Sequence, residues 1–367
     1  MPHAMPVRPF ARALAAVVAL AGPLACAGAE DAPTTTVTGL VDVYTQASLS
    51  HPASGALLTG RSFDVRHSSF ALSLAELNIT RSTTASSPFG FTATLTAGKT
   101  ADLVHATEPG GATNYKLIQQ LYGTWTGGGA HPVTIDAGKY VTMMGLEVIE
   151  SPLNDNYSRG LLFNYAIPFY HMGIRATTPL SSALTGQLHL VNGWNNAEDD
   201  NGGKSLGLQL NYKPTAASNV IFNWMGGTEG AGAALPYALD VQLVDLVATM
   251  ALTPKLKVGA NFDYAAATRS AGGGGHWNGL ALYGRYQACD TCAVAARFEG
   301  FDDSEGLRTG TPQTLHSSTL TLEQAQKGGG LTRLEYRYDH AGSAFFPSAA
   351  GPSGKQHTIT IGQTVKF

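Results

Sequence analysis

Arg333, Glu335, Arg337 and Asp339 occupy every second position of the stretch from Leu331 to His340, with Leu334, Tyr336 and Tyr338 between them. Charged groups spaced by two project from one face of an extended chain, and the apolar residues project from the other. The same parity places Arg175, Arg285 and Arg297, with Asp263 and Glu299, on the polar faces of their own segments. Guanidinium and carboxylate groups opposed across a water-filled path create a transverse field that orients polar solutes and sorts ions by sign. Cross-strand pairing, which stabilises a sheet and leaves no net field, is the other use of such groups. Arg159, Glu147 and Glu150 sit in or beside a loop at 143–159 and join the set as candidate charges at a constriction.

Catalytic arrangements are thinner. His67-Ser68-Ser69 and His189 supply ingredients for a nucleophile and a base. Neighbouring residues of one strand point to opposite faces, however, so their adjacency is no sign of a dyad. An H-E-x-x-H helix and a phosphate-binding loop are both missing from the sequence. Glu198-Asp199-Asp200 reads as a solvated loop before it reads as a weak cation site, and no cofactor or metal is expected. Cys289 and Cys292 flank Asp290-Thr291. In an oxidising compartment they read as a small disulfide across a hairpin turn, or as free thiols; half of a zinc site or a redox motif would need a second cysteine pair or a βαβ setting.

The elements that must carry these side chains are strands. Charged residues make up 13% of the chain, and the chain holds 43 glycines with many Thr, Ser and Asn. After the first segment no run approaches the ~18 apolar residues of a membrane helix, so membrane insertion would have to be by strands. The first segment reads as a secretory signal: Arg8 and Arg12, an apolar stretch from Ala13 to Leu24, and Ala27-Gly28-Ala29 as a cleavage site leaving Glu30 first. Without Arg8 and Arg12 the 23 basic side chains become 21 against 26 acidic ones, a formal charge of −5 that argues against nucleic-acid binding.

Segments of alternating hydrophobicity recur from 34–48 to 356–367, about 16 of them, with 14 to 18 as the range that the soft boundaries allow. One stretch, 160–178, is read as a single strand although Pro168 interrupts it. Short connections alternate with longer ones, at 49–65, 101–113, 143–159, 303–313 and 342–355. This arrangement predicts an all-β, transmembrane, antiparallel up-and-down barrel over 30–367, short turns towards the periplasm and long loops outside. Trp125, Trp194, Trp224, Tyr264 and Tyr338 fall where aromatic girdles would lie. Loop 143–159 begins apolar and then carries Glu147 and Glu150; it either folds inward to narrow the lumen or covers the rim. The last strand alternates through Ile359, Ile361 and Val365 and ends on Phe367, the form of signal by which barrel-assembly machinery receives outer-membrane barrels.

The central block is the most specific: Gly138-Lys139, Gly145-Leu146-Glu147, Asn154, Tyr157-Ser158-Arg159-Gly160, Pro168-Phe169, His171-Met172-Gly173-Ile174-Arg175, and Val191-Asn192-Gly193-Trp194. It resembles the OmpL-like β-barrel porins of proteobacteria. Gly160, Ile174 and Asn195 depart from that family's wording, where Ser, Val and Asp are usual. The resemblance implies an outer-membrane channel for passive diffusion of small hydrophilic solutes and ions, in contact with outer-membrane lipid and lipopolysaccharide, and names neither a solute nor an oligomeric state. A barrel with a non-channel role, as a lipid-modifying enzyme, adhesin or assembly factor, is the alternative, and a secreted soluble β protein a third.

Overall fold

Alternation carried through sixteen segments closes into a single wall. The computed structural model describes residues 32–108, 115–127, 129, 131–229, 239–269 and 273–367; the expected leader at 1–29 lies outside them. The strands are β1 (Thr35–Ser48), β2 (Phe70–Arg81), β3 (Phe89–Ala97), β4 (Ile118–Gly127), β5 (Val133–Val141), β6 (Tyr170–Pro179), β7 (Leu184–Val191) and β8 (Ser205–Thr215). They continue as β9 (Ser218–Glu229), β10 (Leu239–Ala251), β11 (Leu256–Arg269), β12 (Gly274–Cys289), β13 (Cys292–Asp303), β14 (Gln313–Ala325), β15 (Gly330–Ala341) and β16 (Lys355–Lys366). Each strand pairs antiparallel with its sequence neighbours, and β1 pairs with β16 to complete a closed barrel.

Period two decides which side chains face inward. In β15, Arg333, Glu335, Arg337 and Asp339 are buried while Leu334 and Tyr336 stand exposed on the outer wall. Their partners across the ladder, Ile361 and Ile359, are exposed beside them. In β11, Asn261 and Asp263 are inward and Phe262 and Tyr264 outward, so the outer surface is an apolar band suited to lipid.

Three expectations are corrected. Residues 160–178 are not one strand: Leu162–Ala166 wind into a helical turn, and β6 starts at Tyr170. Pro168 cannot donate to a ladder, which makes the stretch before β6 loop rather than wall. The connection between β5 and β6 therefore runs over 142–169, longer than the sequence suggests. Trp194 is not in a girdle; it is buried, edge-on to Trp277 with ring centres 6.0 Å apart. His67 and Ser68 are not in a strand, since β2 begins at Phe70 and Ser68 takes a left-handed φ of 53°. Their Nδ1 and Oγ atoms are 3.2 Å apart.

Candidate functional site

Loop 142–169 lies inside the barrel, and its route is set by inward-facing polar groups. It enters with Met143, whose carbonyl accepts from Gln209 and Asn223. Asp245 and Asn261 then accept from the backbone N–H groups of Gly145 and Leu146 at 3.2 and 3.0 Å. On the far side Ser151 donates to Asp42 at 2.7 Å and Asn156 to Thr321 at 2.7 Å. Glu335 accepts from the backbone of Tyr157 and Ser158 at 2.6 and 3.0 Å. A buried loop must find partners for its backbone groups, and here the inward faces of the strands provide them.

Three wall arginines hold the middle of the loop. Arg333 of β15 donates to the carbonyls of Ser151, Asn154 and Asn156 while pairing with Glu323 at 2.7 Å. Arg297 of β13 meets Glu147 at 2.6 Å, Glu299 at 2.7 Å and the Ser158 carbonyl at 2.6 Å. Arg337 donates to the carbonyls of Arg159 and Gly60 and pairs with Asp339 at 2.7 Å. Gly160 fits this crowd for a steric reason: a side chain there would run into the carboxylates of Glu299 and Glu147. That accounts for glycine where the resembling family has serine.

The other expected residues are dispersed. Arg175 pairs with Asp136 at 2.7 Å and lies over the rings of Tyr140 and Tyr122, and Arg285 pairs with Glu323. Arg159 is buried with its guanidinium 4.4 Å from the Phe63 ring. Glu150 accepts from Gln119 at 2.5 Å. Most of these arginines are thus occupied with carboxylates or loop carbonyls, the cross-strand and anchoring use of the charge rather than a free field. Cys289 and Cys292 face each other across the β12–β13 turn with Cα atoms 5.0 Å apart.

Sequence reasoning missed a second inward segment. The connection expected at 49–65 and outside runs over 49–69, and its Arg61, Phe63 and Asp64 are buried. Arg61 contacts Asp64 at 2.6 Å and Asp339 at 2.8 Å. Burial pushes the Asp64 carboxyl up, but Arg61, Arg337 and Arg159 outweigh it and leave it below the ordinary carboxylate range. Lys139 is likewise held, by Glu108 and by His105 just past the short helix α1 (Lys99–Val104). Arg61 and Asp64, opposite charges on either side of Phe63, were the signal available.

Apolar contact between loop and wall runs beside the polar ones: Leu161, Leu162, Phe163 and Ile167 pack with Val191, Met225, Leu243, Trp277 and Phe301, of β7, β9, β10, β12 and β13. Arg308 lies over Trp194 and Trp277, and burial brings its guanidinium down to about 10. Against β2 to β4 a cavity of about 500 Å³ is left, lined by Asn78, Thr80, Thr94, Gln120 and Tyr122 on the wall and by Ile149, Glu150 and Leu153 on the loop. Among the described residues, no group of three or more His, Cys, Asp or Glu side chains could hold a metal ion.

The sequence profile of the family described as "Putative beta-barrel porin-2, OmpL-like" matches residues 34–367. No curated protein matches the sequence. Among solved structures, the anion-selective porin from Comamonas acidovorans aligns with a TM-score of 0.63 at 12% identity, over 92% of this chain and 100% of that one. The outer membrane channel DcaP of Acinetobacter baumannii aligns with a TM-score of 0.60 at 9% identity, over 94% and 100%. Outer-membrane expressed OmpT of Vibrio cholerae gives 0.59 at 11% identity, over 93% and 99%. At such identities these three speak for the fold, whereas the profile spans the whole described barrel. The chain belongs to the OmpL-like beta-barrel porin family and is an outer-membrane porin.

Proposed function

We propose that the chain is a passive diffusion channel for small hydrophilic solutes and ions, with loop 142–169 setting the width of the path. The observation that carries this reading is the loop held across the lumen by Arg297, Arg333 and Arg337, with a cavity of about 500 Å³ left against β2 to β4. In such a path solutes keep much of their water, and flux follows size, charge and gradient with no energy coupling. Export by the leader at 1–29, delivery to the assembly machinery through the strand ending in Phe367, and an outer wall in contact with lipid and lipopolysaccharide complete the proposal. No catalytic role is proposed: His67 and Ser68 meet, but the described residues supply no third group to orient the imidazole.

One observation favours the non-channel reading. Leu161, Leu162, Phe163 and Ile167 of the loop are buried in one apolar cluster with residues of β7 to β13, as they would be in a plugged barrel. Unitary conductance of the purified protein in planar bilayers separates the two. Stable steps that grow larger in Arg333→Ala support a channel narrowed by the loop. Folded, inserted protein that gives no steps sinks it, and the adhesin, enzyme or assembly reading takes its place.

A further inference from the structure

The wall that carries the loop and the wall that faces it differ in charge. Arg61, Arg297, Arg333 and Arg337 are at most 4% exposed, and each lies against a carboxylate. Arg175, Arg285 and Lys139 are paired with Asp136, Glu323 and Glu108. None of these seven cations lines the cavity against β2 to β4, and no other Arg, Lys or His among the described residues does.

Its charged lining is Glu76, Glu147 and Glu150. Glu147 is answered by Arg297 at 2.6 Å. Glu150 accepts from the neutral amide of Gln119 at 2.5 Å and interacts with the Glu76 carboxyl, one oxygen of which is buried and without a donor. The nearest cation on the wall is Lys366, which the ladder places level with Leu40, itself level with Glu76. It stands outside the lining.

We propose that this passage prefers cations to anions, and that Glu76 and Glu150 set the preference. The inference rests on the channel reading above. A narrow path with low-dielectric walls focuses the field of fixed charges, raising the local concentration of the opposite sign and excluding the same sign. Asn78, Thr94 and Gln120 offer oxygen atoms that replace part of a cation's hydration, as pore walls commonly do. The arginines, which by sequence look like the filter, act instead as fasteners for the loop.

The test is the reversal potential of the full protein in a planar bilayer under a potassium chloride gradient. The wild type is expected to show a several-fold permeability ratio of potassium over chloride. Glu76→Gln and Glu150→Gln should each lower it, the double variant should bring it towards unity, and Glu76→Asp should retain it. Circular dichroism and heat-modifiable mobility establish that each variant is folded. Steps with an anion preference overturn the assignment while leaving the channel standing, as does a ratio untouched by the double variant. Absence of steps overturns the channel reading, and this inference with it.

Discussion

The Nη1 atom of Arg297 lies 2.6 Å from Oε1 of Glu147, a contact that joins residues 150 apart in sequence. The same guanidinium reaches the Ser158 carbonyl, so one side chain of β13 grips the inward loop at two points. Both partners are nearly excluded from solvent. Removing one partner of a buried pair leaves the other charge uncompensated, at a cost of about 3–5 kcal/mol. Arg297→Met is expected to lower the urea midpoint of the barrel in lipid and to raise unitary conductance as the loop loosens. Combining it with Glu147→Gln should cost less than the two single changes added together. Strict additivity would show that the pair is not a fastener.

Loop 49–69 should stay seated in mild acid. Asp64 is held below the ordinary carboxylate range because Arg61, Arg337 and Arg159 outweigh the effect of burial. A carboxylate depressed in the folded state contributes stability above its unfolded value, ~3.9, and loses it as pH falls through the folded value. Proteolysis within the loop should therefore remain slow at about pH 5 and accelerate only in stronger acid. Asp64→Asn should remove that acid dependence and leave the loop cleavable at neutral pH. Cleavage in the wild type that already rises near neutrality would contradict the pairing.

How much could be read beforehand follows from what each signal encodes. Period-two alternation marked β11 and β15 and the inward side of Asp263, Arg333 and Arg337, because one face must meet lipid and the other must not. It could not say whether an inward arginine meets water or a loop. That depends on tertiary contacts such as Arg333 with the Asn154 carbonyl, 179 residues away. Trp194 and residues 160–169 were misplaced for the same reason: an apolar run inside a barrel looks like an apolar run on its outer wall. Glu76 went unremarked because its significance lies in what does not face it.

The seam of the barrel offers a third test. Gly39 and Phe367 exchange backbone hydrogen bonds of 3.0 and 3.1 Å, and the Phe367 ring covers Gly39, where a larger residue would collide with it. Phe367→Ala should reduce the folded fraction recovered from outer membranes several-fold while leaving refolding from urea in detergent largely intact. Equal losses in both assays would assign the ring to stability rather than to recognition.

Thiol chemistry gives a fourth. Cys289 and Cys292 should resist maleimide labelling in denatured, unreduced protein and accept it once reductant is added. A bridge closing so short a loop contributes below about 2 kcal/mol, so Cys292→Ser should lower stability only slightly. Ready labelling without reductant would establish free thiols.

The carbonyls of Ser151, Asn156 and Asn154 come long before the residue that receives them, Arg333, by 182, 177 and 179 positions. Asp42 of β1, which receives Ser151, precedes the loop, but the arginines of β13 and β15 that hold its middle are made only after it. Closure in turn requires β16, the last strand, to meet β1, the first. Contacts this distant in sequence make assembly slow. Filling the hoop and closing it are therefore one event, and a substitution in the loop alters the timetable of insertion as well as the width of the path.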